Sequence, residues 1–144
     1  MTLTSTELDR VFTWPEEKQT NQYYRHSSPN PSYEPAACGL DIIDQLDEDG
    51  LCYEFNTIMA WRDTETGKVY VAQDSGCSCP TPFEGFKKLS ELTLIVNTLD
   101  AQAFVRAANP ERYNSPEPTF AMRDVMRFLS KIDAALRGEV LAAA

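Results

Sequence analysis

The sequence predicts an α+β domain: a small antiparallel β-sheet of the meander or hairpin type, packed with two C-terminal helices and preceded by an extended N-terminal arm. Three observations predict it. In residues 51–62, mostly large side chains at the odd positions (51, 53, 55, 57, 59 and 61) alternate with the side chains between them, and this period of two is typical of a strand. Residues 122–136 repeat apolar side chains at three- and four-residue steps, which is typical of a helix. Residues 1–36 follow neither period.

The N-terminal segment, residues 1–36, is predicted to be a partly irregular arm. A polar run at 15–22 interrupts its apolar content, and the prolines between 29 and 35 favour extended backbone without regular pairing. The aromatic side chains of the arm are available to pack on the domain or on a partner; they are Trp14, Tyr23, Tyr24 and Tyr33. Residues 37–144 are then expected to form a single α+β domain of ordinary size.

The strands are predicted in the first half of this domain. Residues 40–46 are interpreted as a strand, although the acidic run at 47–50 is equally compatible with a helix end. Residues 51–62 are expected to form a strand with one buried face. The stretch 63–67, which ends in glycine, supplies the loop of a hairpin, and residues 68–74 return as its second strand.

Two helices are predicted after the sheet. An extended stretch at 92–96 leads to a helix that Asn97 or Thr98 caps and that runs through about residue 108. A loop follows at 113–118. The last helix carries Met122, Val125, Leu129, Ile132 and Leu136 on one face, with Gly138 at its C-terminal cap. Its basic stripe, Arg123, Arg127 and Lys131, is interpreted as a solvated face rather than a ligand site.

The formal charge of −9 limits the partners of this chain. Duplex DNA and anionic membranes are bound through Lys and Arg, so we expect neither as a direct partner. Between residues 38 and 61 there is no Lys or Arg, and the acids there are Asp41, Asp44, Asp47, Glu48, Asp49 and Glu54. We favour a solvated sheet face that aids solubility; the sharper interpretation is an acidic surface that docks on a basic partner.

The first residues of the chain and its hydropathy indicate the cellular compartment in which we expect the protein. Residues 1–7 have neither a basic nor an apolar region of a secretion signal, and no apolar run is long enough to cross a bilayer. We therefore expect a soluble protein of the cytoplasm. Its four cysteines are then expected to be thiols or metal ligands before disulfides.

The hairpin register brings cysteines together. If Arg62 and Lys68 flank the turn, paired residue numbers sum to about 130, and Cys52 lies opposite the start of the loop that contains Cys77 and Cys79. A structural zinc site would use Cys52, Cys77 and Cys79 with either Cys38 or His26 as the fourth ligand. The Cys-x-Cys spacing is unlike the usual paired knuckles, and the alternative is a set of small, half-buried thiols. We expect no other cofactor.

Catalysis by this loop is the weaker expectation. A Cys77 or Cys79 nucleophile requires a base, and the one histidine, His26, lies in the arm. Asp74 and Glu84 flank the loop as carboxylates that commonly serve as caps. We assign no catalytic residue.

The loop Asp74-Ser75-Gly76-Cys77-Ser78-Cys79-Pro80-Thr81-Pro82-Phe83-Glu84, after a Trp-containing hairpin, resembles a motif of small uncharacterised proteins of actinobacterial phages. The resemblance covers roughly residues 53–99. It implies a phage-encoded protein made in the host cytoplasm and brings no activity with it.

The leading functional hypothesis is a non-enzymatic protein that binds a host or phage macromolecule through the acidic hairpin and the aromatic arm. The residues expected to contact the partner are Asp44, Asp47, Glu48, Asp49, Trp14, Tyr23 and Tyr24. One alternative is a virion or assembly component that forms a homo-oligomer. The other is a small enzyme that uses the Cys77 and Cys79 loop.

Overall fold

The computed structural model describes residues 10–77, 79–111 and 116–139. The described residues form a four-stranded antiparallel sheet followed by two helices, which confirms the α+β class. Two one-turn helices and a 3₁₀ turn at Pro35–Cys38 precede the sheet, and a second 3₁₀ turn at Leu89–Glu91 precedes its last strand. The elements in chain order are α1 (Glu16–Gln19), α2 (Gln22–Arg25), β1 (Leu40–Asp47), β2 (Glu54–Asp63), β3 (Val69–Cys77), β4 (Thr93–Ile95), α3 (Thr98–Ala108) and α4 (Met122–Leu136).

The sheet is a meander in the order β1-β2-β3-β4. In the central hairpin Glu54 pairs with Cys77 and Arg62 pairs with Val69 rather than with Lys68, so paired numbers sum to 131 and the register is shifted by one residue from the predicted one. The hairpin differs from the prediction at its open end, because β2 begins at Glu54 rather than 51 and β3 runs on to Cys77 rather than 74. Gly50 and Tyr53 both have positive φ (80° and 61°), and these turns delay the extended backbone until Glu54.

The prediction that β2 buries only one face is wrong. All five residues at 57–61 are buried, so alternation of side chains does not produce alternation of exposure. Ile58 and Ala60 belong to a core with α3 and α4, whereas Met59 and Trp61 belong to a second core on the opposite side of the sheet. That second core is completed by Phe12 from the arm, by Cys38 from the turn before β1, and by three side chains from the segment between β3 and β4: Phe83, Leu89 and Leu92.

Helices α3 and α4 follow the predicted bounds closely. The side chain of Asn97 accepts a hydrogen bond from the Asp100 amide (2.9 Å), which caps α3. Gly138 has a φ of 76°, the left-handed conformation expected of a residue that ends a helix. The buried face of α4 is Val125, Phe128, Ile132 and Ala135.

The described part of the arm packs on the sheet. Phe12 is buried in the second core, and Val11 forms a β-bridge with Lys88. The indole Nε1–H of Trp61 donates to the carbonyl oxygen of Pro31 (2.9 Å), which attaches the proline-rich segment to β2. Residues 1–9 of the predicted arm, Ser78 of the cysteine loop and residues 113–115 of the predicted loop lie outside the described residues. Within the described ranges, no helix is long and apolar enough to span a membrane.

Candidate functional site

The cysteine loop, residues 74–84, is closed by its own carboxylates. Oδ2 of Asp74 accepts a hydrogen bond from the Phe83 amide (2.7 Å), and Oε2 of Glu84 accepts one from the Thr81 amide (3.1 Å). Both carboxylates that flank the cysteines therefore satisfy backbone donors. These hydrogen bonds give Asp74 and Glu84 a structural role in holding the loop closed.

Phe83 fastens this loop to the sheet. Its side chain is fully buried and meets the Trp61 ring edge-on with centroids 5.2 Å apart. From the arm, Nδ2 of Asn30 and Oγ of Ser32 both donate to the carbonyl oxygen of Pro82 (3.0 and 3.1 Å). The loop and the proline-rich segment thus form one layer over the second core.

The structure separates Cys38 from the other three cysteines. Cys38 is buried beside β1, whereas Cys52, Cys77 and Cys79 are exposed near the other end of the hairpin. The length of β2 between these ends is about 30 Å at about 3.3 Å per residue, so Cys38 lies too far away to share a metal with Cys77.

The zinc hypothesis gains no geometric support from the described residues. Among them, no group of three or more His, Cys, Asp or Glu side chains is placed to hold a metal ion. His26, the alternative ligand, caps the C-terminus of α2 in the arm. The zinc site stays a prediction.

The buried thiol of Cys38 has an altered acidity. Burial raises the pKa of Cys38 to about 12, helped by the nearby negative charge of Glu34 and opposed by Arg10. Its Sγ lies 3.6 Å from the carbonyl oxygen of Pro29, which it can reach as a donor. Cys38 is therefore a neutral core thiol at ordinary pH.

The loop between β1 and β2 forms an acidic tip, which we define as Asp47, Glu48, Asp49, Tyr53 and Glu54. Neutral groups hold two of its carboxylates: Thr57 donates to Asp47 (2.7 Å) and Asn56 donates to Glu48 (3.0 Å). The Tyr53 side chain is 81% exposed. A surface depression of about 550 Å³ lies beside the tip and reaches Cys77.

Asp44, predicted to contact a partner, instead forms ion pairs with two residues of α4. Its Oδ2 accepts from Nε of Arg127 (2.9 Å), and its Oδ1 lies 3.7 Å from Nζ of Lys131. The Asp44 side chain is only 12% exposed. Two residues of the basic stripe thus neutralise this acid within the fold.

The predicted aromatic anchors of the arm form a cluster among themselves. Trp14 is buried and meets Tyr24 edge-on, with centroids 4.8 Å apart, and Tyr24 meets Tyr23 in the same way at 5.1 Å. Nζ of Lys18 lies over the rings of both Trp14 and Tyr24, at 5.2 and 5.1 Å from their centroids. Of the three anchors, Tyr23 is the most exposed, at 78%.

Two residues of these surfaces are not predicted by the sequence patterns used above. Tyr53 fits the period-two pattern of a strand, although Gly50, three residues before it, is a turn signal. Lys18 belongs to no predicted site, although its four-residue spacing from Trp14 suits contact along a helical turn.

The fold and these surfaces define a small α+β domain with two covered sheet faces and an acidic loop. The chain belongs to a family described as a domain of unknown function, DUF7574, which matches residues 29–135. The match includes the sheet, the cysteine loop and α3, ends just before the end of α4, and excludes residues 10–28, which carry Phe12 and the aromatic cluster. No curated protein and no solved structure matched the chain.

Proposed function

We propose that this chain is a non-enzymatic, phage-encoded protein of the host cytoplasm that binds a host or phage protein through the acidic tip. The observation that carries the proposal is the composition of the tip: Asp47, Glu48, Asp49 and Glu54 lie in the chain on either side of an exposed tyrosine, with no Lys or Arg between residues 38 and 61. Such a surface complements a basic patch on a partner.

The conformation of Tyr53 supports binding over simple solubility. A non-glycine residue with a φ of 61° is strained, and this one places a large ring in solvent. Tyrosine is enriched among the residues that dominate interface energies, and acids around it exclude water from the contact. A surface that served only solubility would need neither the strain nor the ring.

The mechanism we propose is competitive occlusion. The tip covers a basic functional surface of its partner, and the rigid hairpin behind it holds the acids in position through the hydrogen bonds from Thr57 and Asn56. Steering by unlike charge speeds the encounter, whereas Tyr53 slows dissociation. Asp44 takes no part, because α4 already neutralises it.

The test is capture of a partner from host lysate at two salt concentrations. We expect the wild-type protein to retain a defined partner at low salt and to lose it at high salt, because screening shortens the Debye length from about 10 Å at 0.1 M to about 3 Å at 1 M. Reversal of the acids (Asp47→Lys, Glu48→Lys, Asp49→Lys) should abolish capture. Tyr53→Ala should weaken it by about tenfold or more.

The matched control changes the same number of charges elsewhere. Glu16→Lys, Glu17→Lys and Glu65→Lys alter exposed acids away from the tip and should leave capture intact. Salt-independent capture, or equal loss in the tip and control variants, would refute docking through the tip. Recovery of the chain in purified phage particles at stoichiometric amounts would favour a virion component instead.

A further inference from the structure

A second candidate site lies between the aromatic cluster and the cysteine loop. A cavity of about 540 Å³ opens there, which is the size of many ligand sites. Its lining includes the aromatic side chains of Trp14, Tyr23 and Tyr24, and also Tyr33, Glu34 and Glu84. The residues of the acidic tip do not line it, so the cavity is independent of the proposed docking surface.

The aromatic part of this lining already accommodates a cation. The ammonium of Lys18 sits about equally close to the Trp14 and Tyr24 ring centroids, in the corner that these two rings make. Ring faces attract cations through their quadrupole. Lys18 is an exposed, flexible side chain, so it can leave this corner at small cost.

Two glutamates in the lining of the cavity, Glu34 and Glu84, supply negative charge. Glu34 is half-buried and forms no salt bridge with any described residue. Glu84 accepts from the Thr81 amide through Oε2, and no hydrogen bond from a described residue to its Oε1 is present. Aromatic faces together with carboxylates complement the ammonium or guanidinium group of a basic side chain.

We propose that this cavity binds the Lys or Arg side chain of a partner peptide, and that Lys18 occupies the ring faces until the peptide displaces it. The negative charge of the chain as a whole, −9, favours the approach of such a peptide. The competing assignment is an anion held by Lys18 and Lys87, which also lines the cavity. The two assignments predict opposite effects of removing Lys18.

The experiment titrates capped glycine-X-glycine tripeptides, with X arginine, lysine or glutamate, and follows the two indole N–H resonances by NMR. We expect the arginine and lysine peptides to shift the Trp14 resonance, because its Nε1–H donates to Ser27 (3.1 Å) at the cavity wall. The Trp61 resonance reports the buried sheet and should stay in place. Lys18→Gln should tighten binding of the arginine peptide roughly two- to fivefold, the value of an exposed cation–π contact.

Two further variants test the contribution of the cavity lining, and a third is a control for the change in charge. Glu34→Gln should weaken binding of the arginine peptide, and Tyr24→Leu should weaken it by about two- to fivefold, while the Trp61 resonance shows that the sheet remains folded. Arg123→Gln removes one positive charge from an exposed position on α4 and should leave the affinity unchanged.

Three outcomes would overturn the proposal. Preference for the glutamate peptide, with weaker binding of that peptide in Lys18→Gln, would identify an anion site. Saturation by choline without any response to the arginine and lysine peptides would identify a site for small cations. Absence of a saturable Trp14 shift with every peptide would remove the site altogether, and would leave docking through the acidic tip unaffected.

Discussion

Among the residues that the structure describes, two that are not glycine have a positive φ, and their rings end up in opposite environments. Phe83 (φ 64°) turns its ring into the second core, where burial of a large aromatic side chain offsets the strain. Tyr53 (φ 61°) turns its ring into solvent, where the fold gains nothing from it. The contrast explains why we assign Phe83 to stability and Tyr53 to binding.

Cys38 makes stability depend on pH in the alkaline range. In the unfolded chain its thiol loses the proton near pH 9, whereas burial in the folded protein raises the pKa to about 12. Between these values the folded state binds more protons than the unfolded state, so stability falls as pH rises, by about 1.4 kcal/mol per pH unit from this group. Urea unfolding at several pH values above about 9 measures the slope.

The comparison variant for this prediction is Cys38→Ala. It lowers stability at every pH by leaving a small cavity, but it should remove this part of the slope. Equal slopes in the two proteins would show that Cys38 is not the group responsible.

At the scale of elements, β1 is an edge strand that is protected against pairing with other chains. It has a bulge between Ile42 and Asp44, and Nη2 of Arg127 donates to the carbonyl oxygen of Gln45 (3.3 Å). Charges and bulges on an edge strand discourage edge-to-edge association. At least one acid of β1, Asp44, therefore has a role within the fold, because it holds Arg127 against the edge of the sheet.

The contact between Asp44 and Arg127 joins β1 to α4, and we expect a measurable coupling between them. The hydrogen bond to Asp44 raises the pKa of Arg127, so the pair favours the charged guanidinium. A double-mutant cycle of Asp44→Ala and Arg127→Ala should give a coupling free energy of about 0.5–1 kcal/mol, the range for partly exposed pairs. Urea unfolding of the four proteins provides it.

The control cycle replaces Arg127 with Arg123, one turn earlier on α4. Asp44→Ala and Arg123→Ala should be additive, because Arg123 makes no salt bridge with Asp44. A coupling as large as that of the first cycle would mean that long-range charge, rather than this contact, joins the two elements.

At the scale of the whole molecule, the arm and the sheet share a buried ion pair. Nη1 of Arg10 donates to Oδ2 of Asp63 (2.8 Å), whose side chain is 1% exposed, at the closed end of the central hairpin. The other carboxylate oxygen of Asp63 accepts from the amides of Glu65 and Thr66. The turn, β2 and the arm therefore meet at one carboxylate.

Removal of the Arg10 side chain, which pairs with Asp63, should lower the stability of the protein. Arg10→Ala leaves a buried carboxylate without its cation, and we expect a loss of about 3 kcal/mol in the free energy of unfolding. Urea unfolding measures it, and Asp63→Asn in the Arg10→Ala background should recover part of the loss because it removes the buried charge.

Arg62→Ala is the matched control for this prediction. Arg62 faces the exposed Asp41 at 3.9 Å, and such a surface pair is worth about 0–1 kcal/mol. If Arg10→Ala costs no more than Arg62→Ala, the arm is not fastened to the sheet through Asp63.

By itself, the sequence determined most elements of this protein and placed the turn of its hairpin, although the predicted register of β2 and β3 is one residue away from the observed one. The period of residues 122–136, the cap at Asn97 and the glycine turn at 63–67 each depend on residues close together in the chain, and local preferences decide them. The turn implies that β2 and β3 pair in antiparallel fashion, but Arg62 pairs with Val69 rather than with Lys68, so the turn alone did not determine the exact register.

Only the tertiary structure decided what each face and charge does. Asp44 meets Arg127 from 83 residues away and Arg10 meets Asp63 from 53 residues away, and no local pattern encodes such contacts. The second covered face of β2 likewise depends on the arm and the cysteine loop folding back on the sheet. Burial is set by the packing of distant elements, and a local pattern of polarity cannot report it.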